Sequence, residues 1–228
     1  MTHRRPTTRG IRKGLTQERV VDAAWHIVNA EGVDVLTMRR LGAELGVAAM
    51  AVYNHFEDRD SVLNALAERA MKLPPPPKAS TRWRVRLEQM IEGIRRLASE
   101  HPHIYALAMS RPTKPMAAFD LMSQALAALR DAGLDDQAAA AWYHTLLLLI
   151  HGFPVWSAAV SNGCSLPPSN TDPQSNRDWE LVHQTSPDAQ FRWAMARVLD
   201  AIEAAAKQRN TPRPRRTRSN TKPDRRVS

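Results

Sequence analysis

Few side chains in this 228-residue sequence have the types and spacing that catalysis or metal binding requires. His144 and His151 are seven residues apart, which on a helix places them on one face, and His101 and His103 flank a proline. Cys164 is the only cysteine, so neither an internal disulfide framework nor a cysteine-only metal cage is available. Structural or capping roles are therefore expected for these residues, and neither a metal nor a cofactor is predicted.

Motifs that indicate an enzyme are missing from the sequence as well. It contains no G-x-S-x-G, no phosphate-binding glycine loop and no HExxH. No candidate nucleophile stands beside a base in a recognisable context. An enzyme stays an alternative class without a motif to support it, and the chain is interpreted as a non-enzyme.

Apolar residues at helical spacing predict a chain made of helices, without strand-like alternation and without an internal repeat. Helices are expected over residues 16–31, 37–45, 48–56, 58–70, 83–101, 117–131, 134–160 and 188–206. Residues 161–187 are rich in Ser, Asn, Pro and Asp, which predicts a long loop with a short helix around Trp179.

The run Leu73-Pro74-Pro75-Pro76-Pro77-Lys78 marks a domain boundary, because proline lacks an amide donor and restricts the residue before it. The predicted organisation is a basic flexible arm (1–14), a small helical domain (15–72), a Pro-rich linker (73–80), a larger helical domain (81–206) and a basic disordered tail (207–228).

Positive charge is concentrated at the two ends of the chain. Residues 1–14 hold five Lys/Arg and no acid, and residues 207–228 hold nine Lys/Arg and one acid. Since the ends contribute +5 and +8 to the formal +9, residues 15–206 carry −4. Basic arms on a mildly acidic body favour a nucleic-acid partner, although solvated ends that aid solubility are an equal alternative for the C-terminal arm.

Two features bear on location. Residues 1–16 contain no apolar run for a signal peptide, so a cytoplasmic protein is expected. The apolar stretch 138–160 has the length of a membrane span, but two histidines, Gly152 and Pro154 lie near its middle. A buried helix of a bundle is the preferred interpretation, and no membrane partner is predicted.

The most informative segment is residues 37–56, where two short helices meet at a glycine turn. Thr37 caps the first helix, Gly46 supplies the turn, and Gly42 is small where the helices cross. A pair of this kind places its second helix in the major groove of DNA, while its first helix lies across the backbone. An ordinary helical hairpin is the alternative interpretation.

This segment resembles the TetR (tetracycline repressor) family, whose hallmarks are a threonine-capped helix, a Gly-Val turn and a Tyr-x-His-Phe ending followed by a basic residue and a leucine. Those residues are here Thr37, Gly46-Val47, Tyr53-Asn54-His55-Phe56, Arg59 and Leu63. The resemblance covers about residues 15–70 and is architectural afterwards. It implies an all-α protein with an N-terminal three-helix helix-turn-helix DNA-binding domain and a larger helical effector-binding and dimerisation domain.

The resemblance also implies roles for individual residues. Thr37, Tyr53 and His55 would contact phosphate, Arg39 would reach the backbone or a base, and Arg59 would neutralise a phosphate where the family usually has lysine.

Residues 48–51 depart from the family, since they read Ala-Ala-Met-Ala where a polar cap is usual. If Ala49, Met50 and Ala51 face DNA, readout relies on thymine methyl groups, and polar discrimination falls to Arg39, Asn54 and His55.

The N-terminal arm is the expected source of much of the attraction to DNA. Residues 15–72 hold six Lys/Arg against nine Asp/Glu, so the small domain itself is not basic. The arm would lie in the adjacent minor groove with its five basic residues, Arg4, Arg5, Arg9, Arg12 and Lys13.

The larger domain is expected to bind an effector and to form a homodimer. In the family the last two long helices build the dimer interface, and residues 139–160 and 188–206 are the candidates here. A pocket for an apolar or aromatic effector would be lined by Trp83, Met90, Tyr105, Met109, Met122, Trp142, His144, Phe153 and Trp156. Plain core packing is the alternative for each of these residues.

Together these features predict a cytoplasmic, nucleoid-associated homodimer that represses transcription from double-stranded operator DNA and is released by a small-molecule effector. The alternative is an effector-independent DNA-binding architectural protein, which would show weak sequence preference and a steep salt dependence.

Overall fold

The computed structural model describes residues 14–72, 82–112, 115–161, 172–184 and 186–210. Within these ranges the chain forms ten helices and no strand, which confirms the all-α fold class. The helices are α1 (Gln17–Glu31), α2 (Met38–Leu45), α3 (Ala49–Tyr53), α4 (Arg59–Met71), α5 (Trp83–Glu100), α6 (Pro102–Ser110), α7 (Met116–Asp131), α8 (Asp136–Ser161), α9 (Pro173–His183) and α10 (Pro187–Asn210).

Short polar residues begin the first helices where the sequence predicts them. The hydroxyl of Thr16 accepts from the amide of Arg19 at 3.3 Å, and that of Thr37 accepts from the amide of Arg40 at 3.0 Å. Asp58 and Ser61 exchange side-chain and backbone hydrogen bonds in a capping box at the start of α4. These caps satisfy amide groups that have no partner inside their helix.

The structure differs from the predicted helices at three places and confirms the short helix around Trp179. A separate helix α6 starts at Pro102, because proline begins a helix well but cannot continue α5. The second helix of the glycine-turn pair ends at Tyr53, three residues early. The helix expected around Trp179 spans 173–183, and α10 continues through Asn210 into the predicted tail.

Two apolar cores hold the helices together, and their border does not follow the Pro-rich segment. The first core combines α1–α4 with the end of α5, with α6 and with the start of α7. The second core joins the first half of α5 and the rest of α7 to α8 and α10. The small N-terminal domain is therefore packed directly on α6, through buried residues such as Ile104 and Leu107.

Ion pairs fix α10 along α5. Arg84 contacts Asp200 at 2.8 Å, and Arg95 contacts Asp188 at 2.8 Å. Hydrogen bonding to Glu92 raises the pKa of Arg95, so its guanidinium stays charged. α10 also packs against α8, where the ring centroids of Phe153 and Phe191 are 4.6 Å apart.

One described helix, Asp136–Val160, is long and apolar enough to cross a membrane by length and composition. The core helix of a soluble protein passes the same test, and this helix packs against α5, α7 and α10. Only 22% of the most apolar 18-residue stretch of this helix is buried inside the chain, so one side of α8 is covered and the other is open to solvent.

Several predictions concern residues outside the described ranges. They are the basic arm (1–14, except its last residue), the linker (73–80), Cys164, and the tail beyond residue 210.

Candidate DNA-binding surface and ligand pocket

A close backbone crossing fixes the angle between α2 and α3. A Cβ atom on Gly42 would lie 2.9 Å from the carbonyl oxygen of Val47 and 3.0 Å from the amide nitrogen of Ala49. Gly46 ends α2 with φ +66°, in the left-handed region that favours glycine. Leu41 and Val52 are fully buried beneath the crossing. The sequence prediction for this turn is confirmed in these details.

The crossing leaves one side of α3 open to solvent. Met50 is 71% exposed and Tyr53 is 47% exposed. Asn54 is exposed, whereas Ala49, Ala51 and His55 are half-buried. The open side therefore combines a thioether, a phenol and an amide.

Two neighbouring arginines on α2 differ in their availability. Arg40 is paired with Glu31 at 3.1 Å and with Glu44 at 2.5 Å, and hydrogen bonding to Glu44 raises its pKa. Arg39 is exposed, and its side chain has no ion pair or hydrogen bond with any described residue. Of the two cations, Arg39 is the one whose charge is not already balanced by a carboxylate.

Arg59 has a structural use that the sequence does not suggest. Its Nε donates to the carbonyl oxygen of Leu36 and its Nη2 donates to that of Val33, both at 2.7 Å. These bonds tie the start of α4 to the turn between α1 and α2. The phosphate contact predicted for Arg59 stays a prediction, and it would use the remaining guanidinium donors.

A second internal contact supports the end of α3. The side-chain amide of Gln17 donates to the carbonyl oxygen of His55 at 3.0 Å. The backbone after α3 is therefore anchored to the first turn of α1. The predicted phosphate contacts of Thr37, Tyr53 and His55 stay predictions on this anchored surface.

Among the described residues, a cavity of about 220 Å³, called the main cavity below, lies between α4 of the small domain and α5, α6, α7 and α8. Its lining is apolar except at Tyr143 and His151, and the remaining residues are Met71, Ile94, Met109, Ala118, Phe119, Leu121, Met122 and Leu147. An inner cavity of about 50 Å³ shares Ile94, Leu121, Met122, Tyr143 and Leu147 with it. The two cavities therefore share part of their wall.

Two tyrosines supply hydroxyl groups near this pocket. The hydroxyl of Tyr105 lies 2.5 Å from Nδ1 of His151, and burial raises the pKa of Tyr105 to about 12. Burial also raises the pKa of Tyr143, and its hydroxyl has no hydrogen bond with any described residue. Both phenols are protonated at neutral pH.

The nine predicted ligand-lining residues do not form one site. Met109 and Met122 line the main cavity, Met90 lines the inner one, and Tyr105 contacts the cavity residue His151. Phe153 and Trp156 line a separate groove between α8 and α10. Trp83 and Trp142 pack against the second core, and His144 is exposed.

Several lining residues were missed by the sequence analysis. Met71 was assigned to the small domain, and only the packing of α4 on α7 brings it to the cavity. Phe119 and Tyr143 are aromatic residues at helical spacing, a pattern that core packing also produces. His151 was singled out for its spacing from His144, but the two side chains lie in different environments.

Polar contacts join the cavity wall to α4. Glu68 accepts from the amide of Ala117 at 3.1 Å and thereby caps α7, whose own N-cap residue is Pro115. Arg111 donates to Asn64 at 2.9 Å and lies 3.4 Å from Asp60. One face of α4 thus contacts Arg111 after α6 and the first turn of α7, next to the cavity residues Ala118 and Phe119.

The described residues contain no group of three or more His, Cys, Asp or Glu side chains that could hold a metal ion. His101 instead contacts α1, where its Nδ1 lies 2.8 Å from the amide oxygen of Asn29 and its ring packs on Trp25.

A helix pair that crosses at a glycine, with an open second helix near the start of an all-helical chain, defines the class of helix-turn-helix DNA-binding proteins. Residues 20–66 match the model for bacterial regulatory proteins of the tetR family, and residues 73–206 match that for the tetracyclin repressor-like C-terminal domain. The chain belongs to the TetR family, whose members are transcriptional regulators and not enzymes.

Three relatives illustrate the similarity. The HTH-type transcriptional repressor DrrR1 of Streptomyces coeruleorubidus is 33% identical over 159 residues, which are 69% of this chain and 57% of DrrR1. The chain thus spans little more than half the length of that relative. The Streptomyces coelicolor TetR family protein ActR, solved in complex with (S)-DNPA, is 25% identical with a TM-score of 0.65, over 85% of this chain and 99% of ActR.

The third relative is BioQ of Mycobacterium smegmatis, which is 25% identical with a TM-score of 0.58, over 83% of this chain and 99% of BioQ. BioQ has also been solved with its natural double-stranded DNA operator. The fold is therefore shared along almost the whole length of both solved proteins.

Proposed function

We propose that this TetR-family regulator is a cytoplasmic, nucleoid-associated homodimer that represses transcription from a palindromic operator and leaves it when an uncharged ligand fills the main cavity. The observation that carries the DNA-binding half is the open side of α3, which a rigid glycine crossing presents to solvent with Met50 and Tyr53 uncovered. The solved complex of BioQ with its operator supports the same use of this fold.

Within this proposal, Tyr53, Thr37 and Arg39 contact phosphates or groove edges, while Met50 and Asn54 face bases. Arg40 and Arg59 position the surface, since their guanidinium groups are engaged with protein atoms. The six cations of residues 15–72 are outnumbered by nine acids, so the basic arm supplies much of the attraction to phosphate.

The homodimer rests on the open side of α8 and on its neighbour α10. Leu148 is 76% exposed, Val155 is 72% exposed and Trp193 is 62% exposed, so a broad apolar face is left uncovered in one chain. Pairing this face with the same face of a second copy buries it and builds a four-helix interface. The dimer would hold its two α3 helices about one DNA turn apart, ~34 Å.

Release by a ligand is supported by the position of the cavity. Met71, at the end of α4, is part of the cavity wall, and Glu68 on the same helix caps α7, whose first turn forms another part of the wall. A ligand that moves the start of α7 therefore moves α4 and changes the spacing of the two recognition helices. ActR, a solved relative, was crystallised with a small molecule, (S)-DNPA.

The experiment that tests this function is selection of bound sequences from a random duplex DNA pool at physiological salt. We expect a palindromic consensus whose half-sites are centred about one helical turn, ~34 Å, apart. Enrichment of no sequence, with DNA binding intact, would contradict the proposed regulator and favour an architectural protein.

A further inference from the structure

The main cavity has a lining whose chemistry restricts what can bind there. None of the described residues that line it is Asp, Glu, Lys or Arg, and the Nδ1 atom of the lining His151 is already engaged with the Tyr105 hydroxyl at 2.5 Å. An ionised ligand would lose its hydration on entry without an opposite charge to replace it, which costs several kcal/mol. The lining therefore selects for uncharged molecules.

The size of the cavity indicates which ligand would fill it. A cavity of about 150 Å³ holds one benzene molecule, whereas the main cavity measures about 220 Å³. Two fused six-membered rings match that volume, and the inner cavity of about 50 Å³ leaves room for one substituent beyond Tyr143. Three methionines and Phe119 in the wall suit a flat, polarisable ring system.

Tyr143 supplies the polar contact. It lines both cavities, and its hydroxyl has no hydrogen-bond partner among the described residues. A phenol at the border of two apolar cavities can donate a hydrogen bond to an acceptor oxygen of a ligand.

We infer that the effector is a neutral, planar compound of two fused rings that carries a carbonyl or ether oxygen, which accepts a hydrogen bond from Tyr143. This inference rests on the proposed function, because it names the ligand class of the same regulatory cavity.

The test uses three probes with the purified full-length chain and isothermal titration calorimetry. Coumarin has two fused rings and a carbonyl, naphthalene has the rings without an acceptor, and coumarin-3-carboxylate adds a negative charge. Each probe is titrated into the natural protein, into Tyr143→Phe, which removes only the hydroxyl, and into Ala118→Phe, which fills the cavity.

We expect the Tyr143 hydroxyl to strengthen coumarin binding about 2- to 10-fold, which is the usual contribution of one hydrogen bond, and to contribute nothing to the binding of naphthalene. Tyr143→Phe removes that advantage and leaves naphthalene binding unchanged, while Ala118→Phe weakens both. The carboxylate binds more than about 100-fold more weakly than coumarin. Thermal denaturation of each variant shows whether it is folded.

Three results would overturn the inference: no saturable binding of coumarin or naphthalene, equal coumarin affinity in Tyr143→Phe, or tight binding of the carboxylate. Calorimetry contains no DNA, so these results do not depend on the operator. Coumarin that binds as expected without releasing operator DNA would leave the inference standing and contradict the proposed switch.

Discussion

Met50 allows the sharpest test of how this chain reads DNA. It is 71% exposed on α3, and its neighbours Ala49 and Ala51 are too small to cover it. If the thioether packs against thymine methyl groups, replacing thymine by deoxyuridine removes the methyl and keeps the Watson–Crick pair. The base sequence of the operator is then unchanged, so the substitution isolates the apolar contact.

The expected loss of binding free energy follows from the apolar area that Met50 would bury against DNA. Covering half of the exposed Met50 side chain removes on the order of 70 Å² from water, which at ~25 cal/mol per Å² corresponds to about 1 to 2 kcal/mol per half-site. One thymine methyl accounts for about 0.8 kcal/mol of this, or roughly 4-fold in Kd. Symmetric replacement in both half-sites of a palindrome should therefore weaken binding about 10- to 20-fold.

Fluorescence anisotropy titrations of a selected operator provide the assay, with one symmetric pair of thymines replaced at a time. Met50→Ala should weaken binding to the thymine operator, and the deoxyuridine penalty should nearly vanish in that variant. Met116, which is 68% exposed on α7, offers a matched control, since Met116→Ala should leave both affinities unchanged. A penalty below 2-fold at every thymine, or an equal penalty in Met50→Ala, would refute the reasoning.

Three further perturbations follow from the contacts described. Gly42→Ala forces a Cβ into the backbone of the turn, so urea denaturation should show a loss of about 1 to 3 kcal/mol, together with lost operator binding. Glu68→Ala removes the acceptor that caps α7. In an anisotropy assay, an effector that releases the natural protein from operator DNA should therefore release this variant less effectively. Glu68→Gln keeps an acceptor and should keep most of the response. Leu148→Glu places a charge on the open side of α8, so light scattering should report a monomer that is still folded.

Each of these three has its own control and contrary result. Ala43→Ser lies on the exposed side of α2 and should lower the free energy of unfolding by less than about 0.5 kcal/mol. An equally small loss in Gly42→Ala would contradict the close backbone crossing of α2 and α3. If Glu68→Ala responds to the effector like the natural protein, Glu68 does not couple the cavity to α4. Val35→Glu, on the small domain, should leave the dimer intact, and a dimer that survives Leu148→Glu would place the interface elsewhere.

The small domain could be predicted from the sequence because its signals are local. Thr16, Thr37 and Asp58 each cap a helix by accepting from the amide three residues later. Gly42 and Gly46 are required by the backbone geometry of one turn. The early end of α3 at Tyr53 was not predicted, since the apolar Phe56 continues the helical spacing although it packs from the following turn.

The cavity could not be predicted, because its wall is assembled from five helices that are distant in sequence. Met71 and Phe119 meet only through the packing of α4 on α7, and periodicity does not distinguish a cavity-lining residue from a core residue. Arg59 shows the same limit on the DNA-binding side, since its acceptors are backbone carbonyls that leave no pattern in the sequence.

The central claim is that the α2–α3 pair reads a specific DNA sequence. The most direct measurement compares the Kd of the purified chain for a selected palindromic operator with its Kd for a scrambled duplex of the same length at physiological salt. The account predicts a ratio of about 10³ or more, lost in Tyr53→Ala as operator affinity falls. Equal affinities for the two duplexes, with the same steep salt dependence, would contradict it.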